Sequence, residues 1–417
     1  MQLTLLDPTA GNWNLQIEDV IKRLPVTGQP FHFPLYFLQS TLPRIGGKVA
    51  LYGENGNDFA VGFLFPRGLA SEGQQIYTLR FHAFSDAPAV AQQAILSLTN
   101  QQLAPEHVVF YQPDASHDYA QTATQIGRVE IGKPSAQEAA QIPQLQQQIW
   151  GASPEECYPA DLHSLQFAPG SSLVARVEGE LAGFLIGFYK FGGYPLPADW
   201  NERFNGALRL ESQIMGVLPS FRGLRISNLL KRQQALDALE QGIGIINWTA
   251  DPLQSVNASL NFALLHAVAF DFLPNLYAFR NELNRVPASR LSLSWMIKTA
   301  HVQDTLTLDA RSDLINLARH PEIQRANDGW QSKNLQIESE FIAIEIPAQW
   351  NAIQRDNLEE ALQWRKTTDD LFMHYIGKAE GKYVITGVGV DNERHFLVGE
   401  CSSRALWKRL GATGEGV

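Results

Sequence analysis

The chain has 417 residues, of which 45% are hydrophobic and 18% are charged, and this composition is typical of a folded protein with two or three domains. Its 33 basic and 43 acidic side chains give a net charge of −10, which disfavours binding to nucleic acid or to an anionic membrane surface. The two cysteines, Cys157 and Cys401, are far apart and belong to no Cys/His cluster, so the sequence predicts neither a metal site nor a disulfide framework.

The sequence contains no segment of the kind that directs secretion or spans a membrane. The N-terminus, MQLTLLDPTAGNW, has no basic segment followed by an apolar core, and no run reaches the ~18 apolar residues that a membrane helix needs. A protein of the reducing cytoplasm, without membrane or nucleic-acid partners, is therefore expected.

Residues 1 to 127 predict a small α/β domain. The turn signal Asn55-Gly56 indicates a hairpin over Leu51 to Pro66. The other predicted elements are a helical region at Phe31 to Leu42, a strand at Ile76 to Phe84, a helix at Ala87 to Leu103 and a strand at His107 to Pro113. Because the order of hairpin, strand, helix and strand recurs in the central part, this domain is either a degenerate second copy of the central fold or an unrelated α/β domain. Its strand-to-helix link, FSDAPAV, has no glycine-rich turn, so we expect no nucleotide to bind there.

Residues 128 to 298 alternate strands and helices, which predicts a mixed sheet with helices on both faces. The predicted elements are a strand at 128–131, a helix at 137–151, a hairpin at 171–191 turning at Glu178-Gly179, a strand at 210–218, a helix after Arg222-Gly223, a strand at 242–249, a helix at 255–267 and strands at 268–279 and 290–298. Residues 299 to 417 predict an α/β extension, which begins irregularly and continues with a strand at 341–347, a helix at 355–377 and a final strand pair.

The stretch from Arg209 to Leu239, RLESQIMGVLPSFRGLRISNLLKRQQALDAL, predicts a strand, a tight turn and a helix. The first turn of a helix has amide groups without intrahelical partners and the positive end of the helix dipole. Such a helix start can bind a phosphate or a pyrophosphate group.

Two motifs resemble the GNAT acyltransferase superfamily. They are Val217-Leu218-Pro219 with Arg222-Gly223 before the long helix, and WTADPLQSVNASLN from Trp248 to Asn261. The closer resemblance is to a subgroup of predicted acetyltransferases often found beside N-acylamino-acid racemases, and it extends over residues 128 to 390. It implies a GNAT-like mixed central sheet flanked by helices, and a reaction in which acetyl-coenzyme A or another acyl-coenzyme A donates its acyl group to an amine.

The resemblance also implies a set of cofactor-binding residues. They are the strand residues Met215 and Val217, the loop and helix residues Arg222, Gly223, Leu224, Arg225, Ile226 and Ser227, and the two asparagines Asn257 and Asn261. The phosphate loop of the superfamily reads Arg/Gln-x-x-Gly-x-Gly/Ala, so Arg225 and Ser227 stand where small residues are expected. Either Arg225 adds a charge that pairs with phosphate, or it blocks the loop and coenzyme A binding has been lost. The subgroup also has glycine at the position of His266.

Three residues are candidates for the chemistry of acyl transfer. Glu211 lies in an otherwise apolar strand where many GNAT enzymes place the general base, and burial would raise its pKa; alternatively it is exposed or paired with Arg209 or Arg222. Asp251 could bind the amino group of the acceptor, or could only start a turn and cap the next helix. Tyr277 could protonate the leaving thiolate, because Phe262 occupies the position of the usual tyrosine, or it is a core-edge residue.

The sequence therefore predicts an acyl-coenzyme A-dependent N-acyltransferase that acts on the amine of a small molecule such as an amino acid, without a metal. Two alternatives stay open. One is a non-catalytic or repurposed GNAT-fold protein with a degenerate phosphate loop. The other is a tandem-GNAT aminoacyl transferase that uses charged tRNA, which the net charge of −10 disfavours.

Overall fold

The computed structural model describes residues 1–25, 31–84, 92–193, 196, 200, 203–204, 206–277 and 284–412. The chain forms two compact units. The first consists of Met1–Pro195 and Gly206–Asp237, and the second of Leu196–Asn205 and Ala238–Val417. Both units contain strands and helices, so the predicted mixed α/β class is confirmed. The division into domains at 1–127, 128–298 and 299–417 stays a prediction.

The first unit begins with a five-stranded sheet. Its elements are β1 (Gln2–Leu5), α1 (Trp13–Arg23), α2 (Leu42–Arg44), β2 (Lys48–Glu54), β3 (Asn57–Leu69), β4 (Gln75–Ala83), α3 (Gln92–Leu103) and β5 (His107–Tyr111). The strands follow one another in sequence order, antiparallel except for the parallel pair β4 and β5. The predicted turn at Asn55-Gly56 is confirmed, with φ angles of 52° and 83°. The first residues of the predicted helix at 87–103, positions 87–91, lie outside the described residues.

The second set of strands in this unit runs through the central part of the sequence. Its elements are β6 (Thr124–Ile126), β7 (Val129–Gly132), α4 (Ala136–Trp150), β8 (Gly170–Val177), β9 (Glu180–Phe191), β10 (Leu208–Val217) and α5 (Ile226–Glu240). Helix α4 starts at a capping box, because the side chains of Ser135 and Glu138 each accept the backbone N–H of the other. The predicted hairpin turn at Glu178-Gly179 is confirmed by φ angles of 54° and 82°.

Alternating side chains of β9 are buried in two different apolar clusters, each of which contains residues of a different helix. Phe184 and Phe188 belong to the apolar cluster that contains Ile142 of α4, whereas Leu185 belongs to the cluster that contains Leu230 of α5. Since successive side chains of a strand point to opposite faces, α4 and α5 cover opposite faces of this sheet.

The apolar cluster on the α4 side also includes residues from the N-terminal third of the chain. Phe33, Phe37 and Phe65 are fully buried in it, and the ring centroids of Phe37 and Phe188 are 5.0 Å apart. Thr78 of β4 donates a hydrogen bond of 2.9 Å to the carbonyl of Phe167. Residues 1–127 and the following strands therefore share one core.

The elements of the second unit are β11 (Ile246–Ala250), α6 (Ser255–Ala258), β12 (Val268–Tyr277), β13 (Ala288–Trp295), α7 (Ala300–Gln303), β14 (Leu314–Asn316), β15 (Gln324–Arg325), β16 (Asn327–Asp328), β17 (Ser332–Lys333), β18 (Phe341–Ile346), α8 (Trp350–Asp356), α9 (Leu358–Tyr375), β19 (Tyr383–Asp391), β20 (Arg394–Cys401) and α10 (Arg404–Leu410). Within this unit the strands lie in the order β15, β18, β20, β19, β12, β13, β11, with β14 beside β19, while β16 and β17 form a separate antiparallel pair.

Two predicted helices of this unit are wrong in their extent. The helix expected at 255–267 is α only over α6, continues as a π-helical segment at Ser259–Leu264, and is followed by His266 with a φ of 53°. The helix expected at 355–377 is two helices, because Asn357 ends α8 and caps α9 by accepting the backbone N–H of Glu360. Strand β1 and helix α10 were not predicted from the sequence.

A buried histidine gives the first unit a pH-dependent stability. The imidazole of His163 is 6% exposed, and its Nδ1 atom lies 2.7 Å from the hydroxyl of Ser172 on β8. Burial penalises the charged ring and lowers the pKa of His163 from 6.5 to about 3. The neutral ring therefore stabilises the folded state above pH 6.5, and this contribution is lost as the pH falls towards 3.

We predict that His163→Asn reduces the loss of stability on acidification. Between pH 7.5 and pH 5.5 the wild-type protein should lose about 1.4 kcal/mol more in free energy of unfolding than the variant. Over this range the imidazole of His163 takes up a proton in the unfolded wild-type chain but not in the folded one, and asparagine takes up none. Urea unfolding at the two pH values measures the difference. An equal loss in both proteins would contradict the assignment.

Candidate functional site

The loop between β10 and α5 has a backbone suited to an anion. A 3-10 turn at Pro219–Phe221 is followed by Gly223 with a φ of 89° and Arg225 with a φ of 58°. The carbonyl of Arg225 accepts the first helical hydrogen bond, from the N–H of Leu229 at 3.1 Å. The N–H groups in the first turn of this 15-residue helix come before its regular hydrogen bonds begin, so they have no partner within the helix. Turns that contain left-handed residues can direct successive N–H groups towards one point, and a helix start that follows such a turn can bind an anion.

Arg225 has the backbone conformation that glycine adopts most easily. A left-handed φ costs a residue with a Cβ atom roughly 1–2 kcal/mol. The side chain of Arg225 is exposed, and Ser227 is half-buried in the first turn of α5. Arg225 therefore combines a backbone conformation that favours glycine with a cationic side chain at the surface of the loop. Arg222 is also exposed, whereas Ile226 is buried.

The other predicted cofactor residues differ in their surroundings. The side chains of Met215, Val217 and Leu224 are half-buried and pack on the apolar cluster beneath α5. Asn257 is exposed, whereas Asn261, in the π-helical segment, is 5% exposed. Their predicted contacts with a cofactor stay predictions.

The carboxylate of Glu211 is buried between two cations. Its Oε1 atom accepts a hydrogen bond of 2.8 Å from Arg44, and its Oε2 atom one of 2.8 Å from Lys190. Glu211 is 1% exposed, and burial alone would raise its pKa, but the two cations and their hydrogen bonds outweigh burial and hold the pKa below its usual value. The expected rise in pKa is therefore wrong. The expected partners, Arg209 and Arg222, are replaced by Lys190 and Arg44.

Sequence reasoning missed a polar chain beside Glu211. Gln213 is the extra residue of a β-bulge in β10, and its amide nitrogen donates a hydrogen bond of 2.9 Å to the hydroxyl of Tyr158. The hydroxyl of Tyr36 lies 3.2 Å from the same oxygen. No spacing in the sequence connects these residues, since Tyr36 belongs to the N-terminal third.

Asp251, in the second unit, already has partners. Its carboxylate accepts the N–H of Leu253 at 3.0 Å, which forms the turn that the sequence offered as an alternative role. Both carboxylate oxygens lie 2.8 Å from one guanidinium nitrogen of Arg365, and Arg290 lies 3.8 Å away. Although burial would raise the pKa of Asp251, the cations Arg365 and Arg290 lower it. The helix that follows has Gln254, not Asp251, at its N-cap.

Tyr277 ends strand β12 in the same unit. The side chain is buried, and its hydroxyl lies 3.3 Å from the hydroxyl of Thr249, two residues before Asp251 on the chain. The guanidinium of Arg290 lies 5.4 Å from the centre of its ring. Thus Asp251 and Tyr277, two of the three predicted catalytic residues, both neighbour Arg290.

The described part of the chain contains neither a group of metal ligands nor a helix suited to a membrane. Within it, no group of three or more His, Cys, Asp or Glu side chains is placed to hold a metal ion. None of its helices combines the length and the apolar character that crossing a membrane requires.

Comparisons with known proteins give matches among solved structures alone. No protein-family model matches the chain, and no curated protein matches it. The polyamine N-acetyltransferase of Drosophila melanogaster is 15% identical and has a TM-score of 0.30, with 40% of this chain and 98% of that chain covered. Ard1 of Thermoplasma volcanium is 18% identical with a TM-score of 0.28, covering 40% and 96%. The diaminobutyrate acetyltransferase EctA of Paenibacillus lautus is 15% identical with a TM-score of 0.29, covering 40% and 95%.

We predict that Arg225→Gly stabilises the protein. Glycine adopts the left-handed conformation without the Cβ penalty, so the free energy of unfolding should rise by about 1 kcal/mol. Arg222→Gly is the matched control, because Arg222 has a φ of −64° and gains nothing from glycine. Urea unfolding of both variants measures the effect, and equal destabilisation would contradict the conformational argument.

We also predict that Glu211→Gln destabilises the folded protein. Removing the carboxylate leaves Lys190 and Arg44 without their shared anion, which costs about 3–5 kcal/mol at a buried site. The double variant Glu211→Gln/Lys190→Met should recover part of this loss, because it also removes one of the cations. Chemical denaturation of the three proteins decides the question. An undiminished stability of the single variant would show that the ion pairs are not structural.

Proposed function

We propose that this chain is an acyl-coenzyme A-dependent N-acyltransferase, and that the loop before α5 binds the pyrophosphate of the coenzyme. The observation that carries the proposal is the left-handed backbone of Arg225 directly before a 15-residue helix. The phosphate loop of the GNAT superfamily, which this part of the sequence resembles, has glycine at that position. The left-handed conformation of Arg225 is one that glycine adopts easily, and this supports the proposal that the loop can still bind the coenzyme.

The loop offers three kinds of group to an anion. The N–H groups at the start of α5 and the helix dipole supply fixed partial positive charges. The hydroxyl of Ser227 is close to these groups in the sequence, and the exposed guanidinium of Arg225 adds a full charge. Met215 and Val217 belong to the preceding strand, β10, and we propose that the backbone of this strand binds the pantetheine arm of the coenzyme. When bound, acyl-coenzyme A supplies the activated thioester that the amine attacks.

The acceptor is proposed to be the amine of a small molecule, such as an amino acid. Attack requires an uncharged amine, so the acceptor ammonium has to lose a proton, which we assign to solvent water. Glu211 and Asp251 are poor bases, because the cations that surround them favour their ionised forms. We therefore assign each of them the role of holding the buried cations beside it, Lys190 and Arg44 for Glu211 and Arg365 for Asp251. Tyr277 remains our candidate for the group that protonates the departing thiolate.

A second candidate function is a protein that binds acyl-coenzyme A without transferring its acyl group. The pairing of both candidate carboxylates with arginine or lysine favours it, because it leaves neither of them poised to accept a proton. Both candidates predict coenzyme binding, and turnover separates them. An aminoacyl transferase that uses tRNA is disfavoured by the net charge of −10.

We predict micromolar binding of acetyl- or succinyl-coenzyme A that weakens at least tenfold in Arg225→Glu. The reversed charge repels the pyrophosphate at the loop. Calorimetric titration measures the affinities. Arg128→Glu is the control, since Arg128 is exposed in a surface ion pair with Glu178 and its replacement should leave binding unchanged.

Release of free coenzyme A in the presence of a panel of amino acids and polyamines then tests transfer. Amine-dependent release supports the acyltransferase, and binding without release supports the second candidate. A folded wild-type protein that binds neither thioester would overturn both.

A further inference from the structure

Helix α5 buries a lysine against the strand that precedes it. Lys231 is 4% exposed, and its Nζ atom donates a hydrogen bond of 2.8 Å to the hydroxyl of Ser212 on β10. Ser212 is itself buried and adjoins the β-bulge at Gln213. The pair therefore connects the helix whose start we assign to the pyrophosphate with the strand assigned to the pantetheine arm.

Other buried polar groups lie on the face of α5 that carries Lys231 and on the strands that it covers. Within the described part of the chain, neither amide atom of Gln234 has a hydrogen-bond partner, and the same holds for the hydroxyl of Ser171 and the side-chain oxygen of Asn228. Gly187 of β9 makes room for this group, because a Cβ atom there would lie 2.8 Å from the amide nitrogen of Gln234. Buried polar atoms of this kind are generally satisfied by ordered water. Such a polar environment can accommodate both the amine and the ammonium form of Lys231.

The protonation of Lys231 is finely balanced. Burial lowers its pKa from 10.5 to about 7, while the negative charge of Glu211 on β10 acts in the opposite direction. The cations Lys190 and Arg44 in turn partly neutralise Glu211. Ser171 of β8 and Gly187 of β9, which lie in this layer, carry no charge, and the phenol of Tyr189, on the same face of β9, stays neutral because burial raises its pKa. A modest change in the local field is thus enough to change the charge of Lys231.

An anion at the start of α5 would provide such a field. Lys231 follows Ile226 by five residues, which is about 7.5 Å along the helix axis. Two negative charges at roughly 10–15 Å from a buried amine favour its ammonium form by about a factor of ten, after allowance for solvent.

We propose that Lys231 takes up a proton when the coenzyme occupies the loop before α5, so that it acts as a positioning residue that couples coenzyme affinity to pH. The proposal rests on the proposed function, because it takes the pyrophosphate as the anion. By reciprocity, the protonated lysine strengthens coenzyme binding by the same factor by which the coenzyme strengthens protonation.

The coupling predicts uptake of about half a proton per coenzyme at pH 7.5, and an affinity that falls up to tenfold between pH 6.5 and pH 8.5. Calorimetric titration with coenzyme A in phosphate and in Tris measures the uptake, because the apparent enthalpy then depends on the ionisation enthalpy of the buffer. Lys231→Met should remove this uptake and flatten the pH profile of the affinity. Lys231→Arg, which stays charged, should also abolish uptake but retain tight binding at pH 8.5. The difference in proton uptake between the wild type and each variant excludes the protons taken up by the phosphates of the coenzyme itself, because these contribute equally to both.

A second measurement keeps the inference separate from the proposed function. In the wild-type protein labelled at the lysine ε-carbon, one signal should titrate near pH 7, and inorganic pyrophosphate should move its midpoint upwards by about one pH unit. Its absence from the spectrum of Lys231→Arg assigns it. Equal proton uptake in the wild type and in Lys231→Met, or a lysine signal that pyrophosphate leaves unmoved, would overturn the inference. Failure of coenzyme A to bind while pyrophosphate still moves the signal would overturn the proposed function alone.

Discussion

The buried carboxylate of Glu211 draws together cations from distant parts of the first unit. Arg44 ends helix α2, Lys190 lies on β9, and Glu211 lies on β10, and all three side chains are largely shielded from water. A buried ion pair is costly unless each charge is compensated, so these elements have to occupy their places together. The triad therefore constrains the strand beside the proposed coenzyme site. It also explains why a carboxylate in an apolar strand does not imply a catalytic base.

The features that the sequence predicted well are those that depend on neighbours along the chain. The turns at Asn55-Gly56 and Glu178-Gly179 follow from the ease with which these residues adopt positive φ angles. The partners of the carboxylates could not be predicted in this way. Arg44 is separated from Glu211 by 167 positions, and Asp251 from Arg365 by 114. Only tertiary packing brings such residues together, and packing also decided the signs of their pKa shifts.

Arg225 and His266 show how the resemblance and the structure complement each other. The resemblance implies glycine at both positions, and both residues have left-handed φ angles, 58° and 53°. The sequence alone left open whether Arg225 adds a charge that pairs with phosphate or blocks the loop, and it marked His266 as an unusual residue. The structure shows that both residues hold a backbone conformation that glycine adopts more easily, so each side chain is present at a conformational cost. Departures from a motif should therefore be judged by the backbone geometry that they leave behind.

The core shared by the N-terminal third and the strands that follow it has a consequence for how this chain can evolve. A gene segment encoding residues 128–298 alone would carry Glu211 and Phe188 but would lose Arg44 and Phe37, which pair with them. Recombination at that boundary would expose apolar surface and leave the buried charge of Glu211 without one of its two cations. A shortened chain that began at residue 128 would therefore need compensating substitutions on β9 and β10 in order to fold.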